Sequence, residues 1–206
     1  MDDHTENEPI LIACAVHAEA RAVARGFGVE PADRVRFWEL TVLNHRAHLM
    51  ITGVGKANAA GATSRALALG RYSAVWNVGV AGALPGPGEL EIGRIVRASA
   101  SIFADEGVRT PDGFATIEDA GFPTTDGLDG ALLDGHGSIR ATATVPPTIR
   151  DRVTVGGIAT VSTGSGTDAL AREIAERTGA VAEAMEGAAV GLAGCVRTEC
   201  SCDRVT

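Results

Sequence analysis

The chain has 206 residues, 45% hydrophobic and 21% charged, with a net charge of -8. That length suits one domain with a substantial core, and the acidic balance argues against nucleic acid or an anionic membrane as partner, since both reward a basic surface. No apolar run is long enough to span a bilayer, and the acidic start from Met1 to Glu8 is wrong for a secretory or transit segment. The expectation is a single cytoplasmic domain over 1–206, with 1–8 disordered and 197–206 an atypical tail.

In chain order, Ile10 to Val16 is a continuous apolar run, as a strand covered on both faces requires. His17 to Arg25 reads as a helix that ends at Gly26. Phe37 to Leu43 and Ala47 to Thr52 flank Asn44-His45-Arg46 as a hairpin. Gly53-Val54-Gly55 breaks the chain before a small-residue helix from Lys56 to Leu69. Ala74 to Val80 is a second buried strand, stopping at Ala81-Gly82. The stiff stretch Pro85-Gly86-Pro87-Gly88 precedes a strand over about 92–103. Residues 105–137 are dense in Gly, Asp, Thr and Pro without a clear period, which reads as a functional loop or a partly ordered insertion. A strand over 156–163, a helix over 168–178, a strand over 181–185 and a helix over about 186–196 complete the order. Alternating strands and helices predict an α/β three-layer sandwich around a mixed central sheet, with ligands at the carboxyl ends of its strands.

Four of those strand ends carry unusual residues: His17-Ala18-Glu19, Gly53-Val54-Gly55-Lys56, Gly79-Val80-Ala81-Gly82 and Met185-Glu186. Glu186 lies within apolar and small residues, where an ionised carboxylate is costly unless something polar meets it. Two vicinal sugar hydroxyls would do so, with the Met185 thioether against the apolar sugar face. The other reading is a glutamate on the wet stripe of an Ala-rich helix. Glu19 has two readings as well, a helix-start carboxylate favoured by the dipole and a general base between apolar walls. Gly53-x-Gly55 invites a dinucleotide reading, but Asn58 replaces the third glycine and no acidic residue follows about 20 positions on, so a tight turn is preferred. His17-x-Glu19 is half of a zinc deaminase signature whose Cys half is missing. Cys14 reads as a core residue. Cys195, Cys200 and Cys202 lack paired knuckles and a nearby His, so neither a metal nor an organic cofactor is expected.

Together these segments resemble the nucleoside phosphorylase and nucleosidase superfamily over about residues 10–196. Cys14 to Ala20 is similar to the segment bearing the hydrolases' water-activating glutamate, which implies that role for Glu19. Thr52 to Ala60 resembles the turn and helix that follow, and Asn77 to Leu84 the loop under purine and ribose. Ala184 to Ala189 resembles the ribose clamp, which implies Glu186 on the sugar hydroxyls and Met185 beneath. Phosphorylases of this superfamily carry an arginine and a hydroxyl at the third strand end, where this chain has Asn77 and Val80. Phosphate would be poorly held there, so the resemblance implies water as nucleophile.

Thr160 to Ala169 looks most like the futalosine hydrolase branch, with methylthioadenosine/adenosylhomocysteine nucleosidases the alternative. The resemblance implies that Ala81, Gly82, Ser165, Gly166 and Thr167 hold the base, and Thr167/Asp168 also reads as a helix cap. After the clamp helix the family continues with a strand, an acid that protonates the purine, and a closing helix. Residues 195–206 are instead polar and Cys-rich, unlike a buried strand. The expectation is a truncated or frame-shifted end, with the last strand and helix missing, no residue to protonate the purine, and Asp203 a poor substitute. The expected partners are a small purine nucleoside and further copies of the chain, a dimer being favoured. A nucleoside-binding chain that lost turnover is the reading from another class.

Overall fold

A computed structural model describes residues 8–30, 36–86, 90–111, 113–122, 133–134, 138–140, 147–195 and 203–205. Its first sheet is nucleated by β1 (Ile10–Cys14), whose side chains are almost entirely buried. On one flank lie β3 (Ala47–Ile51) and its antiparallel hairpin partner β2 (Leu40–Asn44), and on the other β4 (Ala74–Asn77). A second sheet has the order β5 (Gly82–Ala83), β12 (Ala180–Ala184), β11 (Val153–Thr160), β6 (Ile95–Phe103), β10 (Ser138–Arg140) and β9 (Leu133–Asp134). Both sheets mix parallel and antiparallel neighbours, as the α/β reading requires; the strands expected in one sheet are divided between two.

Helices cover both faces of the first sheet. Alternate residues of β1 point to opposite faces. Ile12 and Cys14 meet Ala20 and Ala24 of α1 (His17–Gly26), while Leu11 and Ala13 meet Ala59, Ala62 and Ala66 of α2 (Lys56–Leu69). Helix α4 (Gly187–Cys195) is built from Gly, Ala, Val, Leu and Cys, and nearly every residue of it is buried. A helix apolar on all sides belongs inside a core. Its Ala189 and Val190 pack with the α2 alanines, and its Ala188 and Cys195 with Phe103 of β6. Helix α3 (Asp168–Thr178) covers the far face of the second sheet, where Ile174 and Ala175 meet Ala159 and Val161.

The structure shifts several expected boundaries. The strand expected to reach Val80 ends at Asn77, because the Val78 amide still bonds to Ala13 but the Val80 amide turns to the Glu19 carboxylate. The strand expected from 92 begins at Ile95, since Gly93 takes φ +88° and the Arg94 amide closes a turn on Glu91. The strand expected over 156–163 runs Val153–Thr160, because the Ser162 amide leaves the ladder for the Asp105 carboxylate.

Part of the stretch 105–137 is a hairpin, β7 (Gly107–Thr110) with β8 (Gly113–Thr116). It docks on α3 through an Arg109–Glu173 ion pair at 3.0 Å and through Phe114, whose ring centroid lies 4.2 Å from the Arg177 guanidinium. Residues 123–132 and 135–137 fall outside the described set. The tail is a further correction. The place beside β4 for which no strand was expected is taken by β13 (Asp203–Val205), parallel to Ala74–Trp76. The expectations for residues 1–7, Cys200 and Cys202 lie outside the described residues.

Candidate active site

The ends of β1, β3, β4 and β12 converge as expected. Thr52 and Gly53 amides bond to Cys14 and Ala15, and the Val78 amide to Ala13, so the first three ends share one rim. Beyond β3 the chain turns sharply, with φ +88° at Gly53 and +91° at Gly55, a region that favours glycine. The Asn58 amide group closes this turn on the Val54 carbonyl at 2.9 Å. The glycine pair is therefore a tight turn, and the Gly55 amide already donates to a carboxylate, Glu186 Oε1, at 2.8 Å.

Glu186 sits where β12 passes into α4 and is 8% exposed, so the wet-stripe reading fails. Its Oε2 accepts from the Met185 amide at 3.2 Å. Its carbonyl accepts the first helical bond, from Val190, and the helix is capped again by the buried Thr160 hydroxyl on the Ala188 amide. Burial pushes the Glu186 carboxyl above its ordinary value, the Gly55 and Met185 amides pull it back, and the Glu19 charge pushes it further up. Two backbone amides leave about half of the acceptor capacity of this carboxylate unused.

Glu19 lies one turn into α1, half-buried. Its Oε2 accepts from the Ala15 and Val16 amides at 2.9 and 3.1 Å, so the helix-start reading holds. Its Oε1 also reaches across to the Val80 amide at 2.9 Å, tying the ends of β1 and β4 together. The approach is close: a Cβ on Gly79 would lie 2.7 Å from that oxygen. Cys14 beneath it is sealed in, its thiol pushed up to about 12 by burial and then by the Glu19 charge.

Of the residues expected to hold a base, Ala81 and Gly82 are exposed beside Val80, and Gly82 pairs with Glu183 in the β5–β12 ladder. Ser165 is half-buried, Gly166 and Thr167 are exposed, and the Thr167 hydroxyl caps α3 on the Leu170 amide at 3.3 Å. Met185 is half-buried against the cluster of Leu84, Ala104, Ala159, Val161 and Ala180.

Three contributors were given no individual role by the sequence reading. The Gly55 amide is one. The second is Lys56, whose ammonium, 11% exposed, pairs with Asp105 and, at 3.1 Å, with Glu106. Burial raises the Asp105 carboxyl, but Lys56 and the Ser162 and Thr163 amides outweigh it, so it stays below the usual range. The third is Glu183, an acidic residue within the Ala/Val strand β12, a break in pattern that was legible. Among the described residues no three His, Cys, Asp or Glu side chains gather as metal ligands would.

Residues 9–197 match the sequence profile of the Phosphorylase superfamily. The chain belongs to that superfamily. The futalosine hydrolase of Acidothermus cellulolyticus is 41% identical over 191 residues, spanning 89% of this chain and 72% of that protein. That of Streptomyces coelicolor is 37% identical over 194 residues, spanning 89% and 76%. Among solved structures, a futalosine hydrolase mutant of Helicobacter pylori superposes with a TM-score of 0.66 at 20% identity, over 96% of this chain and 87% of that one. The 5′-methylthioadenosine/S-adenosyl homocysteine nucleosidase of the same organism reaches 0.68 at 20% identity, over 97% and 83%. At that identity the structures speak for the superfamily fold, and the resemblance read from four segments is borne out.

Proposed function

We propose that this chain hydrolyses the N-glycosidic bond of futalosine, releasing hypoxanthine, as a step of menaquinone biosynthesis. The observation that carries the reading is the pair of carboxylates at one rim, Glu186 buried and Glu19 half-buried, in a chain 41% identical to a futalosine hydrolase. Glu19, held by three backbone amides, takes the proton of the attacking water as oxygen bonds to the anomeric carbon. The C–N bond breaks, and the base leaves with its electron pair and takes a proton from solvent, to which Glu19 later returns the one it accepted. Glu186 accepts from the ribose hydroxyls with its unused lone pairs and stabilises the positive charge developing on the sugar. Met185 packs beneath the ribose, and Ala81, Gly82, Ser165, Gly166 and Thr167 wall the base.

Water is favoured over phosphate by the local charge. The glycine turn directs its amide to Glu186, the Val80 amide serves Glu19, and Lys56 is engaged by Asp105 and Glu106. A phosphate dianion would meet two carboxylates and no free cation among these groups. We place the protein in the cytoplasm as a homo-oligomer, a dimer being favoured; no helix among the described residues is long and apolar enough to cross a membrane.

The test is base release followed by chromatography. Futalosine should yield hypoxanthine at a kcat/KM at least about tenfold above that for adenine from 5′-methylthioadenosine, the scale on which a purpose-built pocket separates related substrates. The reverse preference would select the methylthioadenosine nucleosidase reading. Binding without release from either nucleoside would leave a nucleoside-binding protein.

A further inference from the structure

Glu183 is a carboxylate that the reaction does not use. It projects from β12 between Ala182 and Ala184, and its side chain threads between two segments assigned to the base. Its Cγ lies 3.4 Å from where a Cβ on Gly82 would sit, and its Oε1 lies 3.8 Å from the corresponding point on Gly164. Oε1 accepts from both the amide and the hydroxyl of Ser165, at 2.9 and 2.6 Å. Oε2 is shut away from solvent with no hydrogen-bond partner among the described residues.

A buried carboxylate oxygen without a donor is destabilising. An apolar side chain in this Ala/Val strand would avoid that cost, so Glu183 is poor for stability and requires another explanation. Its gain lies in Ser165, which it holds by two bonds at the centre of the 162–167 turn. The start of the same turn is held by Asp105, which takes the Ser162 amide and pairs with Lys56. Two carboxylates, Glu183 on β12 and Asp105 in the connection between β6 and β7, thus pin one turn, while Thr167 anchors its end at α3.

We propose that Glu183 is a positioning residue: it fixes the Ser165–Thr167 turn against Gly82 and so sets the width of the purine-binding wall. The inference rests on the nucleosidase reading above. Since pre-set geometry governs affinity and alignment more than it governs fold, the signature is a loss of base affinity without a loss of stability.

The experiment compares wild type, Glu183→Leu, Glu183→Gln and Ser165→Ala by calorimetric titration with hypoxanthine, futalosine kinetics and thermal melting. Glu183→Leu should melt at or above the wild-type temperature while its hypoxanthine Kd and its KM rise about tenfold and kcat changes by less than about threefold. Glu183→Gln keeps an acceptor for Ser165 and should retain most of the affinity. Ser165→Ala removes only the hydroxyl contact and should weaken hypoxanthine by a smaller factor, about threefold, at unchanged stability. A Leu variant that melts lower and loses kcat as much as affinity makes Glu183 a fold residue and overturns the proposal, as does wild-type Kd in all three variants. If Glu183→Leu does not fold, Gln with wild-type affinity beside a weakened Ser165→Ala supports the proposal, and equal Kd in those two overturns it. A wild-type protein that binds no hypoxanthine fails the nucleosidase reading itself, an outcome separate from any variant.

Discussion

Glu19 and Glu186 stand on the same rim, yet their surroundings differ. Glu19 is half-buried and receives three amide donors from two strand ends, so its position is over-determined while one side stays open to solvent. Glu186 is 8% exposed, receives two amides, and carries a carboxyl raised chiefly by burial. The open, rigidly held carboxylate suits an acceptor of a proton from water. The dry one, with acceptor capacity to spare, suits a ligand that brings its own hydroxyls. A division of labour between two like groups therefore follows from solvation and donor count.

The largest expected effect separates the two roles. Glu19→Gln keeps size and removes basicity, so turnover should fall by about 10² or more with little loss of nucleoside affinity, read by single-turnover kinetics beside a binding titration. Unchanged turnover would remove Glu19 from the mechanism. Next comes the dry partner: Glu186→Ala should weaken a ribonucleoside by roughly 2 kcal/mol or more, since hydrogen bonds to a charged group are worth that much. Gly79→Ala sharpens the geometry of the first site. Its Cβ would lie 2.7 Å from Glu19 Oε1, so the carboxylate must move, and kcat should fall about tenfold while nucleoside binding holds. A kcat equal to wild type would show that the exact seat of Glu19 does not matter.

The smallest effect is on stability. The folded-state Glu186 carboxyl is raised above its ordinary value of 4.5, so between that value and the raised one the folded chain binds more protons than the unfolded chain. Its contribution to stability is therefore present at and below pH 4.5 and is lost as pH rises through the raised value. Glu186→Gln should flatten that part of a denaturation series run from pH 4.5 upward. An identical slope in the variant would assign the dependence to another group.

What was legible in the sequence follows the same contrast. The continuous apolar run from Ile10 to Val16, the small-residue helix from Lys56 and the helix from Asp168 were conspicuous, and the structure reproduces them, with the strand stopping two residues early at Cys14. Glu186 was conspicuous because a charge among alanines needs a reason. Boundaries set by distant side chains were hidden: β4 ends where Glu19 captures the Val80 amide, and β11 ends where Asp105 captures the Ser162 amide. The β7–β8 hairpin was missed although Thr110-Pro111-Asp112-Gly113 is a turn signature, because the surrounding composition masked its short strands. The short β13 was missed for want of any apolar pattern in a polar tail.

The division of labour is tested most directly by one ratio, the affinity for a ribonucleoside over its 2′-deoxy analogue, measured in wild type, Glu19→Gln and Glu186→Ala. Glu186 accepting the sugar hydroxyls predicts that the ratio stays near the wild-type value in Glu19→Gln and collapses toward one in Glu186→Ala. A ratio preserved in Glu186→Ala, or lost in Glu19→Gln, would contradict the account.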